Sequence, residues 1–128
     1  MKSAVKNVLI VDKDLGFVFW LADVLIRAGY QPWAAFSPAE ARALLAERKP
    51  LRRLDLLIVR GTLPGVSDLI AHFRETQQHL KVMALGPEDR ALTGVNVWHP
   101  VPGRSDDSAK QEWVRAIKDM ASRQHRAA

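Results

Sequence analysis

Two acids, Asp12 and Asp14, follow the apolar run VLIV with Lys13 between them, and Arg60 closes a second apolar run, LDLLIV, ahead of the turn GTLPG. Paired carboxylates at the end of a strand are suited to holding a divalent cation or to general acid–base work. Lys13 lies between them and no second acid cluster stands at a strand end, which opposes that chemistry, since a nearby cation repels a dication. Arginine also stays protonated and offers no nucleophilic lone pair. His99, before Pro100, is a candidate base or phosphoacceptor, but a lone histidine here reads as structural. The sequence contains no glycine-rich phosphate loop, no metal-spaced histidine set, no nucleophile triad and no cysteine. Neither enzymatic activity nor a resident metal or cofactor is expected.

The elements that must position these residues alternate along the chain. NVLIV, QPWAAF, LDLLIV, KVMAL and VNVW read as strands. DLGFVFWLADVLIRAG reads as a helix closed by Gly29, a favourable residue just past a helix end. Ser37, Pro38 and Glu40 supply an N-cap, a first-turn proline and a capping-box glutamate for PAEARALLAERK, which stops before Pro50. SDLIAHFRETQQHL places Leu69, Ile70, Phe73 and Leu80 on its apolar side, and a last helix over residues 107–122 aligns Trp113, Ile117 and Met120. Strands without interrupting polar residues, alternating with helices, indicate a parallel sheet covered on both faces. Residues 1–122 are read as one domain and 123–128 as a frayed tail. A chain of 128 residues is long enough to bury roughly two-thirds of its unfolded surface. Arg48 to Arg53, RKPLRR, reads as a solvated basic loop, and Trp33 and Trp98 as core residues near strand ends.

No signal peptide is visible, and FVFWLADVLI is about half the length of a bilayer span and contains Asp23. A soluble cytoplasmic protein without membrane association is expected. The net charge of +5 permits attraction to nucleic acid or to acidic partners, with solvated surface charge as the simpler explanation.

Over almost its whole length the chain resembles the receiver domain of two-component response regulators. VLIVDKDLGFVFWLADVLIRAGY resembles the family's first strand, acidic turn and first helix, PWAAFSPAEARALL its second strand and helix, and DLLIVRGTLPG its third strand and Pro-Gly loop. The resemblance implies an α/β, flavodoxin-like, doubly wound five-stranded parallel sheet of order 2-1-3-4-5, with the site at the carboxyl ends of the strands. It also implies phosphoryl transfer to an aspartate after strand three, assisted by Mg²⁺ held on an acid pair after strand one. Position by position, the first acid is Asp12, the second is Lys13, and the acceptor is Arg60. The hydroxyl after strand four is Gly86, the lysine after strand five is His99, and the aromatic three residues before it is Asn96. Only Asp12 retains the family's identity, so the resemblance implies a degenerate pseudo-receiver. Arg60 is expected to take the metal's place and pair with Asp12, with Asp14 as a further candidate partner. The segment between strands four and five is too short for the family's fourth helix, which is expected to be cut to one turn or lost. The residue before the family's proline often precedes a cis peptide, which Pro100 allows.

At 100° per residue, Phe17, Trp20, Leu21, Val24 and Leu25 form the sheet-facing side of the first helix. Leu15, Phe19, Ala22 and Ile26 form a second apolar stripe on the other side, expected to be a homodimer interface. As a stand-alone chain the protein would pass any output through a protein partner in a signalling pathway. Three other readings remain: a phosphorylatable regulator using Asp14 or Asp55, a basic nucleic-acid-associated regulatory domain, and a small-molecule site at the altered strand ends. Nucleic acid is disfavoured, since RKPLRR lacks interleaved aromatics and an accompanying helix-turn-helix.

Overall fold

A computed structural model of the chain describes residues 6–101 and 111–118. Its elements are β1 (Lys6–Val11), α1 (Leu15–Arg27), β2 (Tyr30–Ala35), α2 (Pro38–Glu47), a 3-10 turn (Lys49–Arg53), β3 (Leu54–Arg60), α3 (Val66–Thr76), β4 (Lys81–Leu85) and β5 (Val97–His99). Residues 111–118 form the described part of the last helix; the rest of its expected span, with Met120, and the expected tail lie outside the described residues.

All four strand pairings are parallel and the sheet order is 2-1-3-4-5. The central strands alternate their side chains between two buried layers, which is why they are apolar apart from residues near their ends. Leu9, Val11, Leu57, Val59, Val82 and Ala84 meet α2 and α3 on one face. Val8, Ile10, Leu56, Ile58, Met83 and Leu85 meet α1 and the last helix on the other, where Trp113 and Ile117 are buried.

Several boundaries move from their expected places. β3 runs through Arg60, which pairs with Leu85 and is therefore the last strand residue rather than part of the loop. β5 begins at Val97 and includes His99, one to two residues later than VNVW suggests. α3 stops at Thr76, so Leu80 is buried in the turn into β4 and not on the helix. The cause is Gln77: it leaves helical geometry, its side-chain oxygen accepts from Leu54 N at 2.6 Å, and its Nε2 donates to Leu51 O at 3.0 Å. RKPLRR is likewise not a loose loop, since Lys49–Arg53 winds as 3-10 helix around a fully buried Leu51. Glu40 behaves as a capping residue with a displaced target. Ser37 Oγ accepts from Glu40 N, while Glu40 Oε1 accepts from Phe36 N, one residue before the cap.

No helix forms among residues 86–96, so the connection from β4 to β5 is an irregular crossover. Arg74 on α3 holds it down. Its guanidinium donates to Leu80 O at 2.5 Å, Gly94 O at 2.6 Å and Asn96 Oδ1 at 2.7 Å, and Asn96 Oδ1 also accepts from Val82 N. The loop can lie this close because position 94 is glycine: its φ is +82°, and a Cβ there would sit 2.9 Å from Ile70 Cγ2. Every described peptide bond is trans, including that between His99 and Pro100. Among the described residues no helix is long and apolar enough to cross a membrane.

Candidate functional site

The winding of the sheet brings the carboxyl ends of β1 and β3 side by side, the crevice where open α/β sheets place their sites. Val11 is in register with Val59, so Asp12 and Arg60 leave the sheet next to each other. Asp12 is 1% exposed and is the one buried charged side chain among the described residues. Its backbone N–H donates to Ala35 O, which fixes the turn, and its Oδ1 accepts from Asp14 N at 3.1 Å. Its Oδ2 accepts from Arg60 Nε at 2.9 Å and from Arg60 Nη2 at 2.7 Å. Both carboxylate oxygens are thus engaged, as a buried charge requires.

The Arg60 guanidinium also lies over Phe17, its Cζ 5.5 Å from the ring centroid. A cation on an aromatic face adds attraction to that of the ion pair. Asp14 does not join the pair. It is the N-cap of α1, its Oδ1 accepting from Phe17 N at 3.2 Å, so the expected second partner of Arg60 is spent on starting a helix. Lys13 is exposed and forms no ion pair among the described residues.

Gly86 closes β4 with φ +112° and donates its N–H to His99 O. His99 turns toward an aromatic row instead of the ion pair. Its ring centroid lies 4.3 Å from that of Trp113, and its Nδ1 lies 2.8 Å from Pro100 O. Trp113 meets Phe17 and Trp20 at 6.1 and 6.3 Å, so a continuous line of rings runs from Arg60 through Phe17 to His99. Helical spacing of Phe17 and Trp20 marked them as core, but nothing in the sequence alone linked that core to Arg60. Behind the site, the Trp98 ring rests on Gly61, where a Cβ would come within 2.8 Å of it.

Among the described residues there is no group of three His, Asp or Glu able to hold a metal ion. The Arg60 guanidinium occupies Asp12 Oδ2 and Asp14 N–H occupies Oδ1, so the residues present do not fit Mg²⁺, which demands near-octahedral oxygen ligands. Beside Gly61 an open cleft of about 200 Å³ is lined by Leu63, Val66, Leu92 and Asp89 among others. It is smaller than typical small-molecule pockets and lacks their convergent polar groups.

Away from this end, the outer stripe of α1 divides. Leu15, Phe19 and Ile26 are 50%, 67% and 61% exposed, whereas Ala22 is half-buried against the α1-side core and does not belong to the exposed patch.

No family model matches the chain. A curated relative, the phosphate regulon transcriptional regulatory protein PhoB of Pseudomonas aeruginosa, is 31% identical over 99 residues, or 72% of the chain. The chain spans 42% of that relative's length. Among solved structures, a CheY-like response regulator receiver domain protein from Methanospirillum hungatei JF-1 superposes with TM-score 0.78 at 17% identity, covering 98% of this chain and all of that one (100%). A candidate response regulator from Chloroflexus aurantiacus J-10-fl superposes with TM-score 0.71 at 26% identity, covering 93% and 99% of the two chains. In fold and in residue pattern, the chain is a receiver domain of the response-regulator type.

Proposed function

We propose that this receiver domain is a pseudo-receiver: it keeps the receiver shape, does not accept phosphate, and acts in two-component signalling by contact with protein partners. The observation that carries this reading is the Asp12–Arg60 ion pair. A guanidinium stands where the acceptor carboxylate would stand, and its two N–H groups take the oxygen a metal would need. Both other candidate carboxylates already hold structural contacts. Asp14 caps α1, and Asp55 lies near the opposite end of β3 with Oδ2 accepting from Asn7 N at 2.9 Å. The lost helix between β4 and β5 agrees with this, since the Arg74 anchor leaves that connection little room to rearrange.

Calorimetric titration with Mg²⁺ tests the metal half of the reading. No binding is expected at low-millimolar concentrations; saturable binding that Asp12→Asn abolishes would overturn it.

For the contact half, the exposed Leu15, Phe19 and Ile26 supply an apolar strip that a two-fold copy can match with its own. The reading is a homodimer through α1. Solution mass should fall from dimer to monomer in the Phe19→Glu, Ile26→Glu double variant, both sites being exposed so that the fold is spared. A monomeric mass in the unmodified chain would sink the dimer.

A further inference from the structure

The pole opposite Asp12 and Arg60, at the amino ends of the strands, carries a cationic turn. Arg48, Lys49, Arg52 and Arg53 are all exposed, and none forms an ion pair among the described residues. Lys6 and Lys81 open the two strands that flank β3, adding charge at the same edge. Among the described residues, the acids at this pole include Glu47 at the end of α2, Glu75 near the end of α3 and Asp55, already engaged by Asn7 N. The carboxyl ends of α2 and α3 also face this pole, but each helix end is equivalent to only about half a negative charge. A cationic excess remains.

The backbone of this turn is fixed, unlike that of a solvated charge run. Leu51 is fully buried beneath it. Pro50 O accepts from Asn7 Nδ2 at 3.2 Å, and Asn7 Oδ1 in turn accepts from Trp33 Nε1 at 3.2 Å. Gln77 ties down Leu51 O and Leu54 N with its two amide ends. The four cations therefore leave from set points, and a surface ordered in advance loses less entropy when it binds.

We propose that this turn is a docking surface for an acidic protein segment. Arg48, Arg52 and Arg53 suit carboxylates, which a planar guanidinium can hold through two parallel hydrogen bonds, and Lys49 adds a point charge. Nucleic acid fits less well. A five-residue 3-10 turn extends only about 10 Å, enough for few phosphates. The run RKPLRR also offers no aromatic ring for a base to stack on. The proposal does not depend on phosphoryl chemistry at the other pole, so its failure would leave the pseudo-receiver reading standing.

The test uses the full chain with two labelled probes, an oligoglutamate peptide and a DNA duplex of arbitrary sequence, read by fluorescence anisotropy at low salt. The R48Q/K49Q/R52Q/R53Q variant is compared with R42Q/R90Q/R115Q/K118Q, which removes the same charge from exposed positions elsewhere. Peptide affinity is expected to fall about tenfold or more in the first variant and less than about twofold in the second. Equal loss in both variants, no peptide binding by the unmodified chain, or tighter turn-dependent binding of DNA would each overturn the proposal.

Discussion

Replacing Arg60 by methionine is expected to destabilise the protein by about 3 kcal/mol, because it leaves Asp12 as a buried charge without its counterion. Asp12 is 1% exposed, and after the substitution its remaining support is the Asp14 N–H. The value belongs at the lower end of the range for broken buried pairs, since the Arg60 side chain keeps 20% of its exposure. Asp12→Leu should cost less, about 1–2 kcal/mol, because the stranded guanidinium can turn to solvent. Replacing both partners by apolar residues should recover much of the loss, since a buried ion pair and a packed apolar pair are often nearly equivalent. Chemical denaturation of the two single variants and the double variant completes the cycle, with a coupling of about 3 kcal/mol expected. If Arg60→Met changed stability by less than about 0.5 kcal/mol, the ion pair would not be organising this end of the sheet.

Trp113→Ala is expected to cost about 4 kcal/mol, the scale of deleting a large aromatic from a packed core. Trp113 is 1% exposed and touches Phe17, Trp20 and His99, so its loss opens a cavity between α1 and the last helix. The loss is a large fraction of a typical domain's total stability of about 5–15 kcal/mol. Trp113→Phe should be much milder than alanine. It keeps most of the ring area and removes an indole N–H that is buried with no hydrogen-bond acceptor among the described residues. Circular dichroism in urea measures both. A near-neutral alanine variant would mean that residues 111–118 are not packed on the sheet as described.

The sheet was readable because its strands are buried on both faces and so have unbroken apolar runs, and the buried side of α1 was readable from helical spacing. The Asp12–Arg60 contact was readable because the resemblance placed both residues at neighbouring strand ends. Asp14 was misjudged as a partner for Arg60, since a carboxylate before a helix serves as charge or as cap and sequence alone does not decide which. The end of α3 was missed because Gln77 is a good helix residue, and it departs only to reach Leu51 and Leu54, 26 and 23 positions away. Arg74 is the same case. Its three acceptors lie in the following turn and the β4–β5 crossover, and no local periodicity reports them. Ala22 was counted with the outer stripe of α1, yet its small side chain lies at the edge of the buried face and is half covered.

On the reading proposed above, these contacts put fixed parts where a receiver frame would have moving and metal-binding ones. Arg60 closes the acid site, Arg74 closes the crossover, and the aromatic row joins α1 to His99. The central claim is that such a frame does not take part in phosphoryl transfer. Its most direct test is intact-mass measurement after incubation with acetyl phosphate and Mg²⁺, with peptide mapping over Asp12, Asp14 and Asp55. An unchanged mass is predicted, and the stable gain of one phosphoryl group on any of these carboxylates would contradict the account.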